Sequence, residues 1–209
     1  MPTSTLAING PRLWDTIMAS ARIGPGRIET GLRRLALTDA DREMRDLFVR
    51  WCRDAGCIVT VDRMGSIFAR REGTDPALAP VLIGSHLDTQ IAGGRFDGIL
   101  GVLSGLEVIR TLNDAGVRTR RAVELVSWTN EEGARFAPPM LASAVFGGVR
   151  SLEWALGRTE ETDAPWARSS RASATRVLPL WAAVPSTRTS SFTSSRGRSS
   201  TRRASRSAW

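Results

Sequence analysis

Gly84-Ser85-His86-Leu87-Asp88-Thr89-Gln90, continuing after Ile91-Ala92 into Gly93-Gly94-Arg95-Phe96-Asp97-Gly98, decides how the rest of the chain is read. It holds the only histidine among 209 residues, two aspartates, and glycines enough to fold tightly. Pro80-Val81-Leu82-Ile83 feeds into it, a short, continuously apolar run of the kind a buried strand shows. Behind it Ile99, Val102, Leu103, Leu106, Ile109 and Leu112 recur at helical spacing, ending at Asn113-Asp114-Ala115-Gly116. Residues 122–128 read as a second strand, delivering Asn130-Glu131-Glu132-Gly133 at its end. Strands alternating with helices predict an α/β fold. Ligand sites in such folds lie beyond the carboxyl ends of the strands, where both polar clusters fall.

Outward from that unit, Ala40, Met44, Leu47, Phe48, Trp51 and Ala55 mark a helix with Thr38 as N-cap and Gly56 as stop. Residues 57–61 and 66–70 bracket Asp62-Arg63-Met64-Gly65 and predict a β-hairpin. Leu13, Ile17, Ala21 and Ile23 suit a short helix ended by Gly24-Pro25-Gly26, and residues 1–10 read as a mobile lead. Short helices are expected over 140–146 and 151–156. The whole predicts a three-layer α/β sandwich with a mostly parallel sheet over residues 1–163, followed by a tail.

The net charge of +8 divides unevenly. Residues 1–163 carry 20 Arg against 21 acidic residues, a balance of −1, whereas residues 164–209 carry 9 Arg and no acid. The basicity belongs to the tail, which is otherwise Ser, Thr, Ala and Pro with scattered Trp, and is expected to be disordered. Cys52 and Cys57 match no metal or redox spacing and read as reduced, partly buried thiols. No apolar run is long enough to span a membrane and no secretory pattern opens the chain, so a cytoplasmic location is expected.

The chemistry of the two clusters is that of a metal site. Imidazole and carboxylate are good ligands for zinc-like ions, and a carboxylate can bridge two cations. The Gly-rich loop can curl His86 and Asp97 onto a common point, with Asp88 placed to orient the imidazole. Adjacent Glu131 and Glu132 point in different directions, so one can bind metal while the other faces substrate. A metal-acidified water beside a carboxylate base is a hydrolytic engine. Spacing alone leaves a plainer alternative equally open, with His86 a satisfied polar residue and Glu131-Glu132 a solvated turn.

These motifs, together with Trp128-Thr129-Asn130-Glu131-Glu132-Gly133-Ala134-Arg135-Phe136, resemble the hydantoinase/carbamoylase family of amidases. That family includes N-carbamoyl-L-amino-acid hydrolases, β-ureidopropionases and allantoate amidohydrolases, relatives of the aminoacylase-type zinc metallopeptidases. The resemblance covers about residues 12–163 and implies a zinc-exopeptidase-like catalytic domain. It implies His86 on one metal, Asp97 bridging two, Glu132 on the other, and Glu131 as general base. The cofactors implied are two divalent metal ions, zinc first, with manganese, cobalt or nickel as alternatives. The implied substrate is an N-carbamoyl amino acid or related ureido compound. Gln90 leans toward the carbamoylase side, with an allantoate-type enzyme as the alternative.

The chain also departs from that family. The resemblance calls for two further histidine ligands, one within a downstream E-L-H-I-E-Q-G motif, and for an inserted domain through which the family forms homodimers. Neither is present, so the domain is expected to be incomplete and the chain weakly active or inactive. Residues 165–176 can be encoded so that the bases read one position earlier give T-V-G-E-E-L-A-R-I-G-Y-A. Residues 186–201, treated the same way, give V-D-A-Y-F-E-L-H-I-E-Q-G-P-V-L-D. The tail from about residue 164 therefore reads as an out-of-frame translation. The competing account is a non-catalytic fragment whose Arg/Ser-rich run, residues 196–206, binds nucleic acid by charge alone. It ranks lower, because the shifted frame explains the tail and the lost motif together.

Overall fold

The structure, a computed structural model, describes residues 6–26 and 31–160. Helix α1 (Gly10–Ser20) starts earlier than its apolar spacing implies, because the Asn9 side chain accepts the Arg12 N–H and Pro11 suits the first turn. Residues 1–10 are thus not all a loose lead. Helix α2 (Asp39–Asp54) opens on Thr38, whose hydroxyl accepts the Asp41 N–H, with Asp39 and Asp41 in the first turn. Strands β1 (Ile58–Val61) and β2 (Ile67–Arg71) form the expected hairpin. Its turn is held by Asp62 Oδ1, which accepts the N–H groups of Met64 and Ser66 at 2.9 and 2.7 Å. Then come β3 (Val81–His86), α3 (Ile99–Asp114), β4 (Val123–Trp128), α4 (Leu141–Phe146) and α5 (Leu152–Leu156).

The sheet order is β1-β2-β4-β3. Strands β3 and β4 run parallel, with α3 as their crossover, while β1–β2 and β2–β4 are antiparallel. The expectation of a mostly parallel sheet is therefore corrected among the described residues to a mixed one. The β1–β2 turn is too short for anything but an antiparallel pair. Inserting β4 beside β2 then fixes the second antiparallel pairing. Gly84 faces β4 so closely that a Cβ there would lie 1.9 Å from the Val126 carbonyl oxygen.

One face of the sheet is sealed. Val59, Val61, Ile67, Ala69, Ile83 and Leu125 pack against α1, α2 and α3 through Met44, Phe48, Leu103, Leu106 and Ile109. Helices α1 and α3 are clamped by Arg12, whose guanidinium donates from Nε and Nη2 to the buried Glu107 carboxylate at 2.9 and 2.7 Å. The opposite face carries α4 at one end, where Phe146 stacks near Phe68 and Trp128 with centroids 5.7 and 5.0 Å away. Elsewhere it is open, with Ile58 58% and Leu82 39% exposed. The third layer is thus only begun among the described residues, and β3 is an edge strand rather than a buried one. A second small core of Leu37, Met64, Phe136, Leu141, Ala142 and Ala155 sits under α4 and α5.

Cys52 and Cys57 are free and buried, and burial pushes both thiols up. No helix among the described residues is long and apolar enough to cross a membrane. The Arg/Ser-rich tail and its boundary at residue 164 lie outside the described residues.

Candidate metal centre

The parallel register opposes His86 to Trp128, so β3 and β4 end side by side. His86 is the last residue of β3, and Glu131 and Glu132 follow β4 by one tight turn. Asn130 makes that turn with a left-handed backbone, φ +56°, a conformation asparagine tolerates better than most residues. Its Nδ2 donates to the Phe136 carbonyl at 2.7 Å, fixing the return of the chain. Asp97 arrives from the other side, one residue before Gly98, which also has a positive φ of +67°. A Cβ at Gly98 would sit 2.3 Å from the His86 ring, so the backbone itself forms a wall of the site.

These placements bring ligand atoms of His86, Asp97 and Glu132 within 4.8 Å of one another. His86 is buried, and its Nδ1 lies 2.9 Å from the Asp88 carbonyl oxygen. A carbonyl can only accept, so Nδ1 carries a proton, and in the neutral ring Nε2 presents its lone pair inward. That lone pair faces Glu131 Oε2 at 3.3 Å. Two acceptors at this distance call for a proton or a cation between them.

Asp88 behaves differently from its expected part. The carboxylate stands 3.9 Å from Nδ1, beyond hydrogen-bond reach, and the main-chain carbonyl orients the ring instead. The side chain turns to the glutamates: Oδ1 accepts the Glu131 N–H and Oδ2 the Glu132 N–H, each at 3.2 Å. Asp88 thus ties the histidine end of the site to the glutamate end. Burial, reinforced by the charge of Asp41, pushes its carboxyl up to about 7, against the pull of His86 and the two N–H donors.

Glu132 accepts from the Gln90 amide at 2.6 Å through Oε2, while Oε1 is buried with no hydrogen-bond partner. Desolvation raises its pKa, and the nearby Asp97 carboxylate adds to this, against the Gln90 hydrogen bond and His86. A buried carboxylate oxygen without a donor, crowded by a second carboxylate and an imidazole lone pair, is relieved by a cation. The donor set of one nitrogen and carboxylate oxygens suits zinc or a similar divalent ion. The residues present therefore fit a metal.

Two supports were not legible as functional residues. Thr89 is buried and its hydroxyl accepts the Arg34 N–H at 2.8 Å, while its own N–H donates to the Arg34 carbonyl at 2.9 Å. Arg45, on α2, donates to Thr129 Oγ1 at 3.0 Å and to the Gly65 carbonyl, bracing the end of β4.

Residues 82–168 match the profile of Peptidase family M20/M25/M40. The chain is 56% identical over 159 residues to the N-carbamoyl-L-amino-acid amidohydrolase of Rhizobium meliloti, covering 76% of this chain and 38% of that protein. It is 43% identical over 142 residues to the corresponding amidohydrolase of Geobacillus stearothermophilus, covering 68% and 34%. Among solved structures, a hydantoinase/carbamoylase family amidase from Burkholderia ambifaria superposes with a TM-score of 0.80 at 58% identity, covering 82% of this chain and 42% of that one. The chain thus spans about two fifths of the length of the relatives it matches.

Proposed function

Because the chain belongs to the hydantoinase/carbamoylase family of amidases, we propose that its described residues build one part of a two-metal amidohydrolase site acting on linear C–N amide bonds. The substrate class is an N-carbamoyl-L-amino acid, released as the free amino acid with ammonia and carbon dioxide. The observation that carries this reading is the convergence of His86, Asp97 and Glu132, with Glu132 Oε1 buried and unsatisfied. An allantoate-type substrate is the second reading within the same family. Gln90, as the last residue of the first motif, favours the carbamoyl reading.

His86, Asp97 and Glu132 would hold the metal ions. Divalent ions bound there would polarise the ureido carbonyl and acidify the attacking water. Glu131 would serve as the general base for that water and could return the proton to the leaving nitrogen. Its carboxylate, half-buried and 3.3 Å from His86 Nε2, is close enough to the ligand cluster to reach an attacking water. Asp88 holds the Glu131 and Glu132 backbone and, through its carbonyl, the His86 tautomer that leaves Nε2 free to bind.

The chain supplies a single histidine to a site of this kind, so its own turnover is expected to be small or absent. Residues from about 164 read as an out-of-frame continuation, and sequencing the DNA across codons 159–165 tests that: an intact frame ends the idea. For the site, zinc content after dialysis is the measurement. Wild-type chain is expected to retain zinc and His86→Ala to lose it; equal content in both would remove the metal reading. Rapid hydrolysis of an N-carbamoyl-L-amino acid by the purified chain would show the site to be complete after all.

A further inference from the structure

Arg34 has no contact with the three candidate ligands, yet the loop that carries His86 is built on it. It is fully buried, 0% exposed, in the extended segment that precedes α2. Its guanidinium donates to three main-chain carbonyls: Nη1 to Ser20 at 2.9 Å and Ile23 at 3.2 Å, and Nε to Leu87 at 3.3 Å. The first two lie at the carboxyl end of α1, and the third directly follows His86. Its own peptide group is bonded twice to Thr89, N–H to hydroxyl and carbonyl to N–H. One residue thereby grips both sides of Asp88.

A core position would seldom hold such a residue for stability alone. A buried guanidinium costs free energy that neutral contacts do not fully offset, and its Nη2 is buried without a partner. Burial lowers its pKa to about 10, with the charges of Asp41 and Asp88 opposing. An apolar side chain could fill the space but could not bind three carbonyls at once.

We propose that Arg34 is the positioning residue of the metal centre. It fixes the path of residues 87–89, and so the Asp88 carbonyl that orients His86 together with the Asp88 carboxylate that seats Glu131 and Glu132. This rests on the metal-centre reading above.

The test uses the full chain and zinc ion alone, with affinity measured by competition against a chromophoric chelator and folding followed by circular dichroism. Arg34→Lys keeps a charge but cannot reach all three carbonyls, and Arg34→Met removes both. Each is expected to lower zinc affinity about 10–100-fold, the range seen when the support of a ligand is removed. The lysine variant is expected to fold, with a melting temperature lowered by the carbonyls it leaves without a donor, so that zinc affinity is read in the folded protein. Should the methionine variant fail to fold, Thr89→Val removes the hydroxyl that accepts the Arg34 N–H, along with its bond to the adjacent Gln90 carbonyl, and is expected to weaken zinc several-fold. Wild-type zinc affinity in the folded Lys and Val variants overturns the proposal while leaving the metal centre standing. Absence of His86-dependent zinc uptake in the wild-type chain overturns the metal centre and this inference with it.

Discussion

The two faces of the sheet are made from the same strands and have opposite fates. On one, Ile67, Ala69 and Leu125 are completely buried under α1, α2 and α3. On the other, Ile58 of β1 and Leu82 of β3 stand in solvent at the two outer strands, while Phe146 of α4 closes over Phe68 and Trp128 at the centre, where Val126 is 2% exposed. Apolar residues on both faces of a strand indicate cover on both. Here the cover is supplied on one side only among the described residues, in a chain spanning about two fifths of its relatives. What the segment can stabilise by itself is the face its own helices reach.

That contrast can be broken most sharply at Leu106, 0% exposed on α3 at the centre of the sealed side. Leu106→Ala should cost about 2–5 kcal/mol in denaturant unfolding, through lost transfer energy and the cavity left behind. Glu107→Gln should cost less, about 1–2 kcal/mol, because Arg12 keeps its pairing with Asp114 while losing the charge-assisted fork to α3. On the open side, Leu82→Thr should change stability by no more than about 0.5 kcal/mol, as ordinary surface substitutions do. It should also reduce self-association in analytical ultracentrifugation, because β3 presents an unpaired apolar edge. A loss at Leu82 as large as that at Leu106 would mean the open face is covered after all.

Legibility in the sequence followed how local each signal was. Thr38, the apolar spacing of 40–55 and the Asp62-Arg63-Met64-Gly65 turn act over a few residues, and α2 and the hairpin lie where those signals put them. His86, Asp97 and Glu132 meet because a strand, a Gly-rich loop, a crossover helix and a strand suffice to return the chain to one point. The insertion of β4 between β2 and β3 could not be read, since strand pairing depends on partners distant in sequence. The exposure of Pro80-Val81-Leu82-Ile83 escaped for a similar reason: an apolar run records the neighbours it suits, not those present. Asp88 reaches the His86 ring through its carbonyl, while its carboxylate turns to the Glu131 and Glu132 N–H groups. Two residues from His86, its carbonyl and its carboxylate are both candidates for the ring, and only the path fixed by Arg34 and Thr89 separates them.

The close approach of Gly84 to β4 bears on alignment. A strand apolar on both faces can slide by one residue against its neighbour with little hydrophobic penalty, and every side chain then changes face. Val81, Leu82 and Ile83 supply no alternation to prevent that slide. Opposite the Val126 carbonyl, however, only a residue without a Cβ fits. A slip in either direction would bring Ile83 or Ser85 to that point and drive a side chain into the oxygen. Gly84 is therefore the key that admits one alignment of β3, and the admitted alignment is the one that delivers His86, two residues on, to the end of the strand.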